Sequence, residues 1–229
     1  DGEALYVQAN TGIRDQLSIA PEDPEYVPPV DGGQVYPVID AWDPETADMR
    51  TGERIKAASE AIETAEARDL EAAGVSHASM QRVALGTSTG NLAFHRKTEA
   101  HFGLTMETGN GSSYRHLSHN AWSSLRVKEA TDEVADEAEA AREPRKAPKG
   151  PRRILLEPQA VADLIPFLIF SLNARLADEG VTVFSGMEGR RVSGSRLSLR
   201  SVIDGPVKGR PFDGEGLPCK DATWIKEGV

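Results

Sequence analysis

The sequence contains a single cysteine, Cys219, among its 229 residues. One thiol excludes an internal disulfide and a zinc cluster built from cysteines. Nothing in the surrounding sequence would lower the pKa of this thiol, so we predict a structural or incidental cysteine. A chain without disulfides has a reducing cytoplasm as its default compartment, and we expect that location here.

Basic charge is also scarce. The chain has 26 Lys and Arg residues against 36 Asp and Glu residues, for a formal net charge of −10. General DNA or RNA binding needs a basic surface, so this balance disfavours a nucleic-acid partner. The most apolar segment, residues 164–172, is too short and too interrupted to cross a bilayer. We therefore expect neither a nucleic-acid partner nor a membrane partner.

The remaining composition, with 39% hydrophobic and 27% charged residues, is typical of a soluble globular protein. We predict an α+β fold with two domains. An acidic helix over residues 126–143 gives way to a proline-rich, basic linker over residues 142–153, which marks the boundary. Residues 1–150 would form an N-terminal α+β domain, and residues 151–229 the start of a β-rich C-terminal domain.

Local patterns predict the elements of the first domain. We expect a strand over residues 4–8 and an irregular, proline-rich connection over residues 18–48. A helix capped by Thr51 should end near Gly74. Its apolar face would be formed by Ile55, Ala58, Ile62 and Ala65. Two strands should follow over residues 80–85 and 92–102, and residues 102–107 would either continue the second strand or form a third. Turns are expected at residues 86–90 and at Asn110-Gly111.

The second domain should open with a short apolar strand over residues 154–156. A helix follows from Pro158, and because it is apolar on all sides we expect it to be buried. Pro166 should break or kink this helix, and Gly180 should end it. Further strands are predicted over residues 181–184, 196–202 and 222–225.

The run Gly86-Thr87-Ser88-Thr89-Gly90 matches the G-x-S-x-G pattern of a nucleophile elbow. That device needs a strand, a sharp turn and then a helix, which together aim the serine at a histidine. Strand-like sequence follows Gly90 instead, so we favour a plain hairpin turn. An independent hydrolase that uses Ser88 is the alternative.

The chain has five histidines. His116 and His119 would lie one turn apart if this segment were helical, and could then share a metal ion. No third ligand is apparent nearby, whereas a catalytic zinc normally has three protein ligands, so we favour surface or structural roles. The carboxylates of the acidic helix could bind a cation or a basic partner, but we favour a solvated face. The same helix should have a modest apolar stripe, formed by Val127, Ala130, Val134, Ala138 and Ala141.

A glycine-rich loop over residues 209–216 contains two carboxylates, Asp213 and Glu215. Paired carboxylates can act as general acid and base. Asp also readily accepts hydrogen bonds from backbone N–H groups in tight turns, and we favour this structural role.

Several blocks of the sequence resemble, in order, the TldD/PmbA family of peptidase subunits, once called modulators of DNA gyrase. ILLEPQAVADLIPFL resembles the family's strand, proline and helix segment. FSGMEGRRVSGSRLSLRSVID and RPFDGEGLPCKDATWIKEGV resemble two later blocks, the second of which contains the turn residues Phe212, Asp213, Glu215 and Gly216. VALGTSTG and the segments around it resemble the family's N-terminal domain, a sandwich-like arrangement of helices and strands.

The resemblance also implies a branch of the family. TldD-like members have a His-Glu-x-x-x-His zinc motif on the helix after the proline, whereas PmbA-like members, also called TldE, lack it. The motif positions correspond here to Pro166, Phe167 and Ser171, and none of these can ligate a metal in the usual way. The resemblance therefore implies a PmbA-like chain without catalytic or metal-binding residues of its own. Zinc would be held by a TldD-like partner.

Members of this branch pair with a TldD-like subunit in a cytoplasmic heterodimeric metalloprotease. The complex degrades unfolded peptides and trims leader peptides, so the implied ligand is an extended peptide. Family members are about twice as long, and we expect this chain to lack an N-terminal segment and much of the C-terminal domain. The alternative is a homodimeric binding or regulatory protein of the same fold without protease function.

Overall fold

The N-terminal segment is a helix. In the computed structural model, which describes residues 2–21 and 26–229, helix α1 spans Gly2–Ile19. Its apolar side chains, among them Leu5, Ile13 and Leu17, are exposed. The predicted strand over residues 4–8 is therefore wrong, because a few apolar residues cannot distinguish a strand from part of a long helix.

The proline-rich connection is largely irregular, as predicted, although residues 22–25 of the predicted segment lie outside the described residues. Between α1 and residue 48, the described residues contain one regular element, the short helix α2 (Pro44–Ala47). The carboxylate of Asp43 caps this helix by accepting a hydrogen bond from the backbone N–H of Thr46 at 2.7 Å.

Helix α3 spans Thr51–Ala67. It begins where predicted, but Arg50 occupies the cap position and makes no capping side-chain bond, so the predicted Thr51 cap is wrong. The predicted apolar face is only partly correct: Ala65 is buried, whereas Ile55 and Ile62 are exposed, and Ala61, which was not predicted, is buried as well. The helix rests on the neighbouring sheet through its small side chains, which permit a close approach.

A three-stranded antiparallel sheet follows, with the strand order β1-β2-β3. Its strands are β1 (Glu71–Gly86), β2 (Leu92–Thr108) and β3 (Gly111–His119). The predicted strands and both turns are confirmed, but β1 begins earlier than expected. Gly74 lies inside β1 and does not end the helix; a Cβ atom there would lie 2.4 Å from the carbonyl oxygen of Gly103.

One face of the sheet holds the hydrophobic core. Helix α4, Val127–Ala140, packs beside α3 on this face. The core comprises small and aliphatic side chains with one aromatic ring: Ala61, Ala65, Leu70, Ala100, Phe102, Leu104, Met106, Leu125, Val134, Ala135 and Ala138. Val134 and Ala138 belong to the apolar stripe predicted for the acidic helix, so this part of the stripe is confirmed.

The acidic face of α4 is not simply solvated. Arg68 forms ion pairs with Asp132, Asp136 and Glu139 on one side. Arg115, on β3, contacts Glu133 at 3.5 Å and Glu137 at 2.6 Å. These pairs attach the helix to its neighbours from two directions, although exposed pairs of this kind contribute little free energy individually.

The second part of the chain contains α5 (Pro158–Ser171), α6 (Ala174–Asp178) and an antiparallel pair, β4 (Leu199–Ser201) and β5 (Ala222–Ile225). Residues 154–156 are not a strand, and residues 181–184 form turns. The strand predicted over 196–202 is shorter than expected, and that over 222–225 is confirmed. Gly180, at φ +76°, directly follows the cap of α6. The helix from Pro158 that it was predicted to end already ends at Ser171, so that prediction is wrong.

Helix α5 differs from its prediction in two further ways. It continues through Pro166, which therefore does not end it. None of its residues is buried, and Phe167 and Phe170 are each 75% exposed. The predicted burial is wrong within the described structure, because an apolar helix is buried only where another element covers it. Across residues 2–21 and 26–229, no helix is both long and apolar enough to span a bilayer.

Candidate functional site

The turn that carries the sequence-predicted carboxylates packs against the N-terminal part of the chain. The ring of Phe212 is 1% exposed and meets the ring of Tyr36 edge to face, with centroids 5.4 Å apart. The hydroxyl of Tyr36 donates a hydrogen bond to the carbonyl oxygen of Gly216 at 3.0 Å. Gly216 has φ +93°, and a Cβ atom there would lie 3.1 Å from the Leu85 side chain. Tight packing and backbone conformation both require glycine here.

Within this turn, one carboxylate oxygen of Asp213 accepts three backbone hydrogen bonds. The donors are the N–H groups of Glu215, Gly216 and Leu217, each at 2.9 Å. The N–H of Asp213 in turn donates to the carbonyl oxygen of Leu217 at 3.1 Å. Three hydrogen bonds to one oxygen stabilise the turn. Glu215, the other carboxylate of the turn, is exposed.

The two residues before the turn, 208 and 209, lie against the sheet, and hydrogen bonds through Asn120 attach residue 208 to it. Asn120 accepts a hydrogen bond from the backbone N–H of Lys208 at 2.6 Å and donates to the carbonyl oxygen of Thr98 at 2.9 Å. His95 is buried near the backbone of Gly209, and its Nε2 atom has no hydrogen-bond partner among the described residues. Burial lowers the pKa of His95, and the nearby positive charge of Lys97 lowers it further. The imidazole is therefore held neutral beneath the turn.

Ser88 lies on the exposed turn between β1 and β2. A strand follows the turn, as predicted, so the strand-turn-helix arrangement of a nucleophile elbow is absent at this position. Asn91 instead attaches the turn to the proline-rich segment. It donates to the carbonyl oxygen of Asp31 at 2.9 Å and accepts from the N–H of Gln34 at 3.0 Å.

The three residues that the family resemblance assigned to the positions of a zinc motif lie on α5. Pro166 and Phe167 are exposed, and the hydroxyl of Ser171 donates to the carbonyl oxygen of Phe167 at 3.1 Å. None of the three side chains offers an imidazole, thiolate or carboxylate. The described residues also contain no group of three His, Cys, Asp or Glu side chains placed to hold a metal ion. The residues present therefore do not fit a zinc site.

The histidines are arranged differently from the helical pair considered above. His116 and His119 lie on strand β3, where residues three apart point to opposite faces. His77, His101 and His116 instead form a row across the three strands, with ring centroids 5.8 Å and 5.6 Å apart. Sequence reasoning missed this row because only the strand register brings the rings together. Burial is the main cause of the lowered pKa of His101.

Cys219 is a partly buried thiol near the turn. Burial raises its pKa, and the negative charge of Asp213 raises it further. Both effects disfavour the reactive thiolate.

Two family models match the chain. Residues 44–142 match the PmbA/TldA metallopeptidase central domain, and residues 149–229 match the PmbA/TldA metallopeptidase C-terminal domain. No curated protein sequence matches the chain significantly.

Solved structures share the fold. A protein from Thermotoga maritima, described as a candidate modulator of a DNA gyrase, aligns with a TM-score of 0.79 and 18% identity over 90% of this chain. A similarly described protein from Bacteroides thetaiotaomicron aligns with a TM-score of 0.79 and 17% identity over 100% of it. TldE from Thermococcus kodakarensis aligns with a TM-score of 0.78 and 16% identity over 93% of it. The chain spans about half of each relative: 49%, 55% and 50%, respectively.

Proposed function

Because the chain belongs to the TldD/PmbA family, as its two domain matches show, we propose that it acts as a TldE-like subunit of a heterodimeric metalloprotease. In this proposal the zinc and the catalytic residues belong to a TldD-like partner in the cytoplasm. The complex would cleave unfolded or leader peptides. This chain would help to enclose and position an extended substrate, with a domain division near residue 150.

The observation that carries the proposal is the composition of α5. Pro166, Phe167 and Ser171 occupy the positions of the zinc motif without offering a ligand. A family member without a metal site can contribute to hydrolysis only through a subunit that has one. In addition, the exposed apolar surface of α5, including Phe167 and Phe170, is the kind of surface that protein interfaces cover.

The turn formed by Phe212, Asp213, Glu215 and Gly216 has a structural role in this proposal. Phe212 is buried, and Asp213 bonds three backbone N–H groups. The Asp213 bonds stabilise the turn itself, and the contacts of Phe212 and Gly216 with Tyr36 attach the turn to the N-terminal part of the chain. In this proposal these contacts position the second part of the chain for assembly with a partner.

Co-expression with a TldD-like subunit that carries His-Glu-x-x-x-His tests the proposal. We expect the two chains to elute together from a size-exclusion column. The pair should cleave an unstructured peptide, and a chelator should abolish this cleavage. A TldD-like subunit with its motif Glu replaced by Gln serves as the matched control, because it should assemble without cleaving. A homodimer that adds no activity to any such partner would contradict the proposal and favour a binding or regulatory protein.

A further inference from the structure

Two arginines lie directly opposite each other on the sheet. Arg82 of β1 is paired in register with Arg96 of β2, so both side chains project from the same face. Like charges at directly opposed positions of an antiparallel pair destabilise the sheet. Among residues 2–21 and 26–229, neither guanidinium has a carboxylate within ion-pair distance. Within the described part of a chain whose net charge is −10, these two neighbouring cations therefore have no ion-pairing carboxylate.

One aromatic ring accompanies both arginines. The guanidinium carbons of Arg82 and Arg96 lie 5.3 Å and 4.8 Å from the ring centroid of Trp42. Attraction between a cation and the face of an indole partly offsets the repulsion between the two arginines. A contact with the face of a ring uses none of the N–H donors of the guanidinium groups, so these donors remain available to a ligand.

The backbone on both sides of Trp42 is attached to the sheet. The carbonyl oxygen of Ala41 accepts a hydrogen bond from the N–H of Thr98 at 3.0 Å. The N–H of Asp43 donates to the hydroxyl of Thr98, also at 3.0 Å. The Asp43 carboxylate caps α2 through the N–H of Thr46. Trp42 is therefore part of a fixed platform, and its nearest acidic neighbour in the chain already has a hydrogen-bond partner.

Apolar side chains flank the arginine pair on the same face. Phe94, two residues before Arg96, is 63% exposed, and Met80, two residues before Arg82, is 54% exposed. Side chains two residues apart on a strand point to the same face. A ligand that combines an anionic group with an apolar group would contact both kinds of side chain.

We propose that Arg82, Arg96 and Trp42 form a binding site for the carboxylate of a peptide, with an adjacent apolar side chain of that peptide packed on Phe94. Paired guanidinium groups suit the planar carboxylate, which they can bind through parallel hydrogen bonds. The site is too small to track a polynucleotide, and the acidic net charge disfavours one. The choice of a peptide as the source of the carboxylate rests on the proposed function, whereas the oxyanion site itself does not.

Trp42 provides the readout. We suggest titrating the chain with acetyl-Gly-Phe as the free acid and as the C-terminal amide, while following tryptophan fluorescence. The free acid should give a saturable change that is absent from the Trp42→Phe variant, and the amide should give none. Acetyl-Asp-Phe-amide shows whether a side-chain carboxylate binds equally well; binding of either carboxylate supports the site, and the comparison identifies the source.

Substitutions locate the site. Arg82→Gln and Arg96→Gln should each weaken binding of the free acid about tenfold, because each removes charged hydrogen bonds. Arg96→Lys retains the charge but not the planar fork and should give an intermediate loss. Arg54→Gln is the matched control, since Arg54 lies outside the pair and contacts Thr51. Circular dichroism verifies that each variant is folded.

Three results would overturn the inference: equal binding of acid and amide, unchanged affinity in both arginine variants, or tighter binding of a single-stranded oligonucleotide at the same residues. The titration needs neither a TldD-like partner nor zinc. It can therefore fail while the co-elution and peptidase experiments succeed, and the reverse also holds.

Discussion

The hydroxyl of Tyr36 donates a hydrogen bond to the carbonyl oxygen of Gly216, which lies 3.0 Å away and 180 residues later in the chain. This bond joins the proline-rich segment to the turn that begins at Phe212. The rings of Tyr36 and Phe212 pack against each other at the same place. One tyrosine thus makes a polar contact and an apolar contact with the second part of the protein.

Replacing Tyr36 by Phe removes the hydroxyl and keeps the ring. We expect the free energy of unfolding to fall by about 1 kcal/mol, the usual net value of one hydrogen bond. Urea denaturation monitored by circular dichroism measures this change. Tyr114→Phe is the control, because Tyr114 lies on the exposed face of β3. Equal effects of the two substitutions would show that the bond to Gly216 does not contribute specifically.

Replacing Gly216 by Ala tests the packing of the turn. The alanine backbone would have to adopt φ +93°, and its methyl group would crowd the Leu85 side chain. We expect a loss of about 1–3 kcal/mol in the free energy of unfolding. Gly214→Ala, in the same turn, is the matched control, since a Cβ atom there would meet nothing within 4 Å. A loss at Gly214 as large as that at Gly216 would contradict this account.

Replacing Asp213 by Ala leaves the three N–H groups of residues 215–217 without their acceptor. The expected cost is about 1–3 kcal/mol in thermal or urea unfolding. Asp213→Asn retains an acceptor oxygen and should lose less, whereas Glu215→Gln should be close to neutral because Glu215 is exposed. If Asp213→Asn proves as damaging as Asp213→Ala, the negative charge matters more than the hydrogen bonds.

Acidification should destabilise the protein partly through His95. Its folded pKa is lowered from the ordinary value of 6.5, first by burial and then by Lys97. The unfolded chain therefore binds a proton at a higher pH than the folded chain. The stability that comes from the neutral imidazole is present above pH 6.5 and is lost as the pH falls from 6.5 through the lower folded pKa.

Urea unfolding at pH 7.5 and pH 5.0 measures this dependence. His95→Gln should reduce the loss of stability between the two pH values, even if it lowers stability at both. His77→Gln is the control, since His77 is exposed. An unchanged pH dependence in His95→Gln would assign the effect to other groups, such as His101, whose pKa is also lowered.

Local sequence patterns were sufficient to predict some of the turns and one face of a helix. The hairpin turns at residues 86–90 and at Asn110-Gly111 were predicted because glycine and asparagine accept turn conformations readily. The stripe containing Val134 and Ala138 was predicted because helical spacing places these side chains on one face. Residues 4–8 were assigned to the wrong element because their apolar pattern is too short to select one conformation.

Burial was harder to predict than periodicity. The apolar character of α5 suggested a core helix, yet Phe167 and Phe170 are exposed in the described structure. An apolar composition indicates that a helix tends to be buried. Burial also requires a second element that packs against it, and the composition of the helix does not specify that element. Ile55 and Ile62 of α3 illustrate the same difference, since the smaller Ala61 and Ala65 contact the sheet instead.

The sequence by itself determined the α+β class, the positions of the main hairpin turns, the acidic balance and the lack of metal ligands at Pro166, Phe167 and Ser171. These properties follow from residue identity and spacing along the chain. Only the tertiary structure decided which distant residues meet: Tyr36 with Gly216, and Arg82 with Arg96 beside Trp42. Strand register and the docking of loops bring such residues together, and both depend on contacts between segments that local sequence does not encode.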